Sequence, residues 1–177
     1  MQDAVPASQI LDFFQEGFEH TAWRLETRRG YAADQETDEY EQFLNGIVPP
    51  RDEDGPWFVN AREQTAQGKR IERVRLVDEP ATDNQRYLLA TTPDNLAAGE
   101  DIRYMLRSDA EELKLPRFDF WLFDSRVLAT FNWEDSSRRL ELTTAPELVV
   151  RACQARDAAW HFAIRHAEFS ARVPSRM

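Results

Sequence analysis

The chain of 177 residues holds one cysteine, six glycines and three histidines, and its apolar runs are only a few residues long. A bilayer-crossing helix needs about 20 consecutive apolar residues, so no transmembrane span is expected and no membrane partner follows. A lone Cys153 forms neither an intrachain disulfide nor a thiolate metal cage by itself, which sets aside disulfide scaffolds and zinc ribbons. The start, Met1-Gln2-Asp3-Ala4-Val5-Pro6, lacks the basic and apolar regions of a secretory signal, and a cytoplasmic protein is expected. Glycine-dependent motifs are missing too: there is no Gly-x-Gly-x-x-Gly, no Gly-Lys-Ser/Thr and no Gly-x-Ser-x-Gly. Dinucleotide fingerprints, P-loops and the serine nucleophile elbow are therefore excluded, and no cofactor is expected. Basic side chains are in deficit, 22 against 32 acids for a net charge of -10, which opposes the counterion displacement that nucleic-acid binding requires. No direct nucleic-acid contact is expected.

What remains suits one compact domain over residues 1–177, with 42% apolar residues to build its core and a polar tail from Ala171 that is expected to be disordered. Helical spacing of Ile10, Leu11, Phe14 and Phe18 predicts a helix over 8–19, and a short strand follows over 20–27. A second helix is expected over 34–45, a proline-rich loop over 47–56, and a third helix over 57–67. Ile71 to Val77 reads as a strand, 83–90 as a helix, 94–99 as a turn or short helix, and 101–106 as a strand. The aromatic window Phe118 to Phe123 predicts a central strand, and 127–133 with 138–142 predict a hairpin. A last helix opens on a capping-box spacing of Thr144 and Glu147 and is expected to run to about residue 170. The strand-helix-strand order over 71–106 points to an α/β domain with a mixed sheet, a C-terminal hairpin and a long C-terminal helix.

Among chemical candidates, His161 and His166 lie five apart on that last predicted helix and diverge by roughly 140°, so they are read as solvent-facing rather than as a zinc pair. Cys153 is read as a small, partly buried filler, and Trp57, Trp121 and Trp133 as core rather than as stacking platforms. The acidic run from Asp34 to Glu41 reads as a solvated helix face, and its spacing does not fit a calcium loop. On a strand, Arg73 and Arg75 share one face, where two guanidiniums hold a carboxylate or phosphate; the competing reading pairs them with the acidic excess at the sheet surface.

Several blocks carry a resemblance: Trp23-Arg24-Leu25-Glu26 with Tyr31, Gly68 to Val77 with Glu79-Pro80, Ala98-Gly99-Glu100-Asp101-Ile102-Arg103, and Asp119-Phe120-Trp121-Leu122-Phe123-Asp124. Together they resemble a family of actinobacterial proteins of unknown function over roughly residues 10 to 165. That family resembles products encoded beside helix-turn-helix regulators, which implies a regulatory accessory role and transfers no catalytic residues. From Ile71 to Val127 the order of elements also resembles phospholipase-D-like sensor domains, but their catalytic His-x-Lys signature is missing. The analogy implies binding rather than hydrolysis.

The expectation is therefore a non-catalytic regulatory or binding module, with a helix-turn-helix regulator or a small-molecule anion as partner. Its ligand-binding residues are expected to be Arg73, Arg75, Glu79, Asp83, Arg86, Arg103 and Asp124, the last five gathering near strand ends. The alternative is an enzyme on a small anionic metabolite, with Arg73, Arg75 or Arg103 as anion clamp and Asp83 or Asp124 as general base.

Overall fold

The computed structural model describes residues 2–173 of the chain. β1 (Ala4–Val5) leads through a 3-10 turn at Ala7–Gln9 into α1 (Ile10–Glu16) and β2 (Thr21–Glu26). Then come α2 (Ala32–Gln35), α3 (Asp38–Leu44), α4 (Pro56–Ala66), β3 (Arg70–Val77), α5 (Asp83–Ala97) and β4 (Asp101–Leu106). The chain continues as α6 (Arg107–Glu112), β5 (Phe120–Phe123), β6 (Val127–Phe131), β7 (Leu140–Thr143), α7 (Pro146–Phe162), β8 (Ile164–Arg165) and α8 (His166–Ser170). The strands form one 8-stranded sheet in the order β1-β7-β6-β5-β2-β3-β4-β8. β2, β3 and β4 run parallel, joined by helical crossovers, and the other pairings are antiparallel, so the α/β class and the mixed sheet both hold. The aromatic strand β5 sits between β2 and β6, where its neighbours bury every residue.

Period-two alternation sorts the strand side chains onto two covered faces. Trp23, Leu25, Val74, Leu76, Phe120 and Leu122 meet α7 through Val149, Ala152, Ala155 and Ala159. On the other face Ala22, Ile71, Trp121 and Phe123 pack beneath α1 and α4, with the fully buried Phe14 ring 4.7 Å from Trp121 and 5.0 Å from Trp57. Further along that face Val77, Ile102 and Tyr104 meet Leu89 of α5 and Phe169 of α8. No helix among the described residues is long and apolar enough to cross a membrane.

Several element boundaries differ from expectation for identifiable reasons. The helix expected over 34–45 is split, because Thr37 turns outward and its side chain accepts from Tyr40 N to cap α3. The two helical pieces expected over 83–99 are one helix, α5, running through Pro93. A proline leaves the carbonyl four residues earlier without its donor. That carbonyl, Leu89 O, lies 2.9 Å from His166 Nε2, so a residue expected to face solvent replaces the missing hydrogen bond. The final helix is shorter than expected: α7 opens at Pro146 with no side-chain cap, and Ala163 turns extended so that β8 can pair with β4. His161 and His166 therefore belong to different elements. Of the tail, residues 171–173 turn back beside α8, and 174–177 lie outside the described residues.

Candidate functional site

Arg73 and Arg75 do share a face of β3, but that face is covered by helices and both side chains are buried. Arg24 and Glu26 sit on the same face of β2, in register with Arg73 and Arg75. Glu26 accepts from Arg73 Nη1 at 2.9 Å with one oxygen and from Arg75 Nε at 2.8 Å with the other. Glu100, just ahead of β4, accepts from Arg73 Nε at 2.8 Å, and also takes the Trp57 indole N–H at 2.9 Å and the Asn95 amide. Asp119, at the entrance to β5, accepts from Thr27 N at 2.7 Å, from the Tyr31 hydroxyl at 2.7 Å and from Arg24 Nη2 at 3.3 Å.

Arg24, Arg73 and Arg75 thus face Glu26, Glu100 and Asp119, and the cluster is charge-balanced. Aromatic faces complete it: Arg73 lies 5.0 Å from the Trp57 ring and 5.2 Å from Trp121, and Arg24 lies 4.5 Å from Phe131. Burial disfavours the Glu26 charge, yet Arg75, followed by Arg24 and Arg73, outweighs it and holds this carboxyl far below the usual range. Burial likewise opposes the charge on Arg75, and Glu26 more than restores it, so the guanidinium is raised. The Tyr31 hydroxyl is pushed far above its ordinary value by burial, then by Glu26 and Asp119, and it stays a donor.

The predicted site residues fall into separate places. Arg73 and Arg75 belong to this closed cluster. Arg103 projects from the opposite face, where it pairs with Asp101 at 3.1 Å and lies 3.8 Å from the Trp160 ring of α7. Asp124 is at the other end of the sheet. It occupies the left-handed region with Ser125 in the tight β5–β6 turn, and its carboxylate accepts from Glu19 N, His20 N and Thr21 N, each at 2.8 Å. Partial burial opposes the Asp124 charge, but those backbone donors hold its pKa below the ordinary value. Asp83 opens α5 beside the Thr82–Gln85 capping box. Glu79 and Arg86 do come together, on the lip of a cleft of about 910 Å³ at the carboxyl ends of β3 and β4. The expected gathering of Glu79, Asp83, Arg86, Arg103 and Asp124 does not occur, because β4 alternation and the β5 turn send Arg103 and Asp124 elsewhere.

The large cleft is lined by the apolar Leu106, Leu113, Phe162 and Phe169 and by acids, including Asp109 and Glu112. A second, smaller cleft opens on the other side of the β3 terminus. No group of metal-binding side chains gathers among the described residues. Glu26, Glu100 and Asp119 escaped sequence reasoning as a group, since each belongs to a different part of the chain. The available signal was Asp119 as an acid inside the most apolar window, and Glu26 two residues from Arg24 on one strand face.

A family model described as a domain of unknown function (DUF6879) matches residues 8–171. Comparison with curated proteins found no match. Among solved structures, the fold is similar to that of Nuc, a phospholipase D family member from Salmonella typhimurium, with TM-score 0.53 and 9% identity over 89% of this chain and 88% of that one. NucT from Helicobacter pylori is similar at TM-score 0.47 and 8% identity, covering 90% of each chain.

Proposed function

The chain belongs to the DUF6879 family of unknown function, and we propose that it is a non-catalytic binding module whose partner is a helix-turn-helix transcriptional regulator. The observation that carries the non-catalytic reading is the closed, charge-balanced cluster of Arg24, Glu26, Arg73, Arg75, Glu100 and Asp119. Every carboxylate in it already accepts from buried donors, so an anion clamp built on Arg73 and Arg75 has no free face to offer a substrate. Asp124, one of the two candidate bases, has its oxygens taken by backbone donors.

The partner is supported by the resemblance to products encoded beside such regulators and by the character of the large cleft. Its apolar side chains and its excess of acids, with Arg86 and Arg172 as local counter-charges, suit an apolar segment flanked by basic residues. Arg86 lines this cleft, and its Nε is buried without a hydrogen-bond partner among the described residues.

The test is a calorimetric titration against a purified helix-turn-helix regulator from the same genome. Saturable binding is expected, weakened at least about tenfold in Phe162→Asp and Arg86→Ala, because truncating central contacts costs on the order of 1–2 kcal/mol each. Absence of binding, or equal binding by both variants, would refute the partner assignment.

A further inference from the structure

The smaller cleft encloses about 500 Å³ at the carboxyl ends of β2 and β3. Arg28 and Arg29 follow β2 into it, Arg107 enters from α6, and Arg117 from the segment ahead of β5. Among its described lining residues, Glu111 is the only acid. Asp78 reaches in from the neighbouring cleft to pair with Arg107 Nε at 2.8 Å and with Arg29 Nη2 at 3.2 Å. Arg28 rests on the Trp133 ring at 4.8 Å, and Arg117 makes no hydrogen bond or ion pair among the described residues.

Charge counting is informative here. Arg28, Arg29, Arg107 and Arg117 set against Glu111 and Asp78 leave a surplus of two positive charges around one concavity, in a chain whose net charge is -10. Like charges do not gather in this way at no cost, since each guanidinium raises the potential felt by the others. The chemical species that matches the surplus is a dianion with several acceptor oxygens. A phosphomonoester carries about -1.5 to -2 charge at pH 7 and three acceptor oxygens, and the guanidinium fork meets them in pairs. Leu76, Ala110 and Leu115 supply an apolar floor for an organic portion, and the volume lies within the range of small-ligand sites.

We propose that this cleft binds a small phosphomonoester, with Arg117 and Arg28 as the principal anion-holding side chains and Arg107 and Arg29 shared between the ligand and Asp78. The site lies outside the regulator-binding cleft and makes the module responsive to a metabolite. A long nucleic-acid strand fits the arrangement poorly, because the cations converge on one pocket instead of following a backbone.

Phosphorus NMR titrations with inorganic phosphate and with phenyl phosphate, at pH 7.5 and low salt, test it directly. Saturable line broadening is expected with both probes, and diphenyl phosphate, a monoanion, is expected to bind at least about tenfold more weakly. Arg117→Gln removes a side chain that holds nothing else in place, so it is expected to fold normally and weaken phenyl phosphate binding by about tenfold or more. Arg70→Gln, an exposed arginine at the other end of β3, is expected to leave it unchanged. No saturable binding, wild-type binding by Arg117→Gln, or equal binding of the mono- and diester would overturn the site. Release of orthophosphate from phenyl phosphate would overturn the non-catalytic reading instead, and the same spectra distinguish the two.

Discussion

Arg73 donates to Glu100 at 2.8 Å from within the folded core, the arginine lying against the Trp57 and Trp121 rings and the carboxylate wholly shielded by its neighbours. Such a pair adds little net stability against an apolar pair of the same shape, because both charges lose their water. Removing one partner is another matter. Arg73→Met leaves the buried Glu100 without its cationic partner and removes one of the three arginines around Glu26, and is expected to cost about 3–5 kcal/mol in urea denaturation. The double variant Arg73→Met/Glu100→Gln is expected to lose clearly less than the sum of the single losses. Additive losses would contradict the coupling.

Asp124 acts on stability through the backbone of the α1–β2 connection. Asp124→Asn replaces an acceptor with an amide that cannot satisfy all of Glu19 N, His20 N and Thr21 N, and is expected to cost about 1–3 kcal/mol at pH 7. Equal stability by thermal denaturation would show those bonds to be exchangeable with water.

The pH dependence follows from the same carboxylate. Its folded pKa lies below the unfolded value of about 3.9, so its contribution is full above about pH 5 and is lost as pH falls through the folded value. Asp78 works in the same sense: burial opposes its charge, but Arg107 and Gln85 hold its pKa down. Asp34 and Glu72, raised chiefly by burial, act with the opposite sign. Wild type is therefore expected to lose more stability than Asp124→Asn between about pH 5 and pH 2. Parallel pH profiles would count against the assignment.

Asp78 lines the large cleft and holds two arginines of the small one. Asp78→Asn frees both guanidiniums and is expected to tighten phenyl phosphate binding by roughly threefold or more, the reverse of Arg117→Gln. A general loosening of the fold would weaken binding in both variants, so the opposite signs discriminate.

Thr82 joins the capping box of α5 to the segment carrying the cleft arginines, accepting from Gln85 N and donating to Arg29 O at 2.7 Å. Thr82→Ala is expected to cost about 1–2 kcal/mol, read as a lowered Tm. A loss below about 0.3 kcal/mol would mean that water replaces both bonds.

The sequence by itself determined the local order. Alternation in Arg70–Val77 and Asp101–Leu106, the aromatic run of β5 and the polar connection of the last hairpin are signals of neighbouring residues, and the structure keeps them. The same period-two rule placed Arg73 and Arg75 on one face. It could not say what covers that face. Whether a strand face meets water or a helix depends on crossovers elsewhere in the chain, and here the covering helices turn an apparent anion clamp into a buried ion cluster. Long-range placement likewise decided that Glu26, Glu100 and Asp119 meet, that Arg103 and Asp124 stand apart, and that His166 serves the carbonyl freed by Pro93. The arginines of the small cleft come from positions 28, 29, 107 and 117, with no spacing to betray them. Coulomb forces depend on distance in space, and only the parallel β2–β3 pairing, with β5 on the far side of β2, brings those positions together.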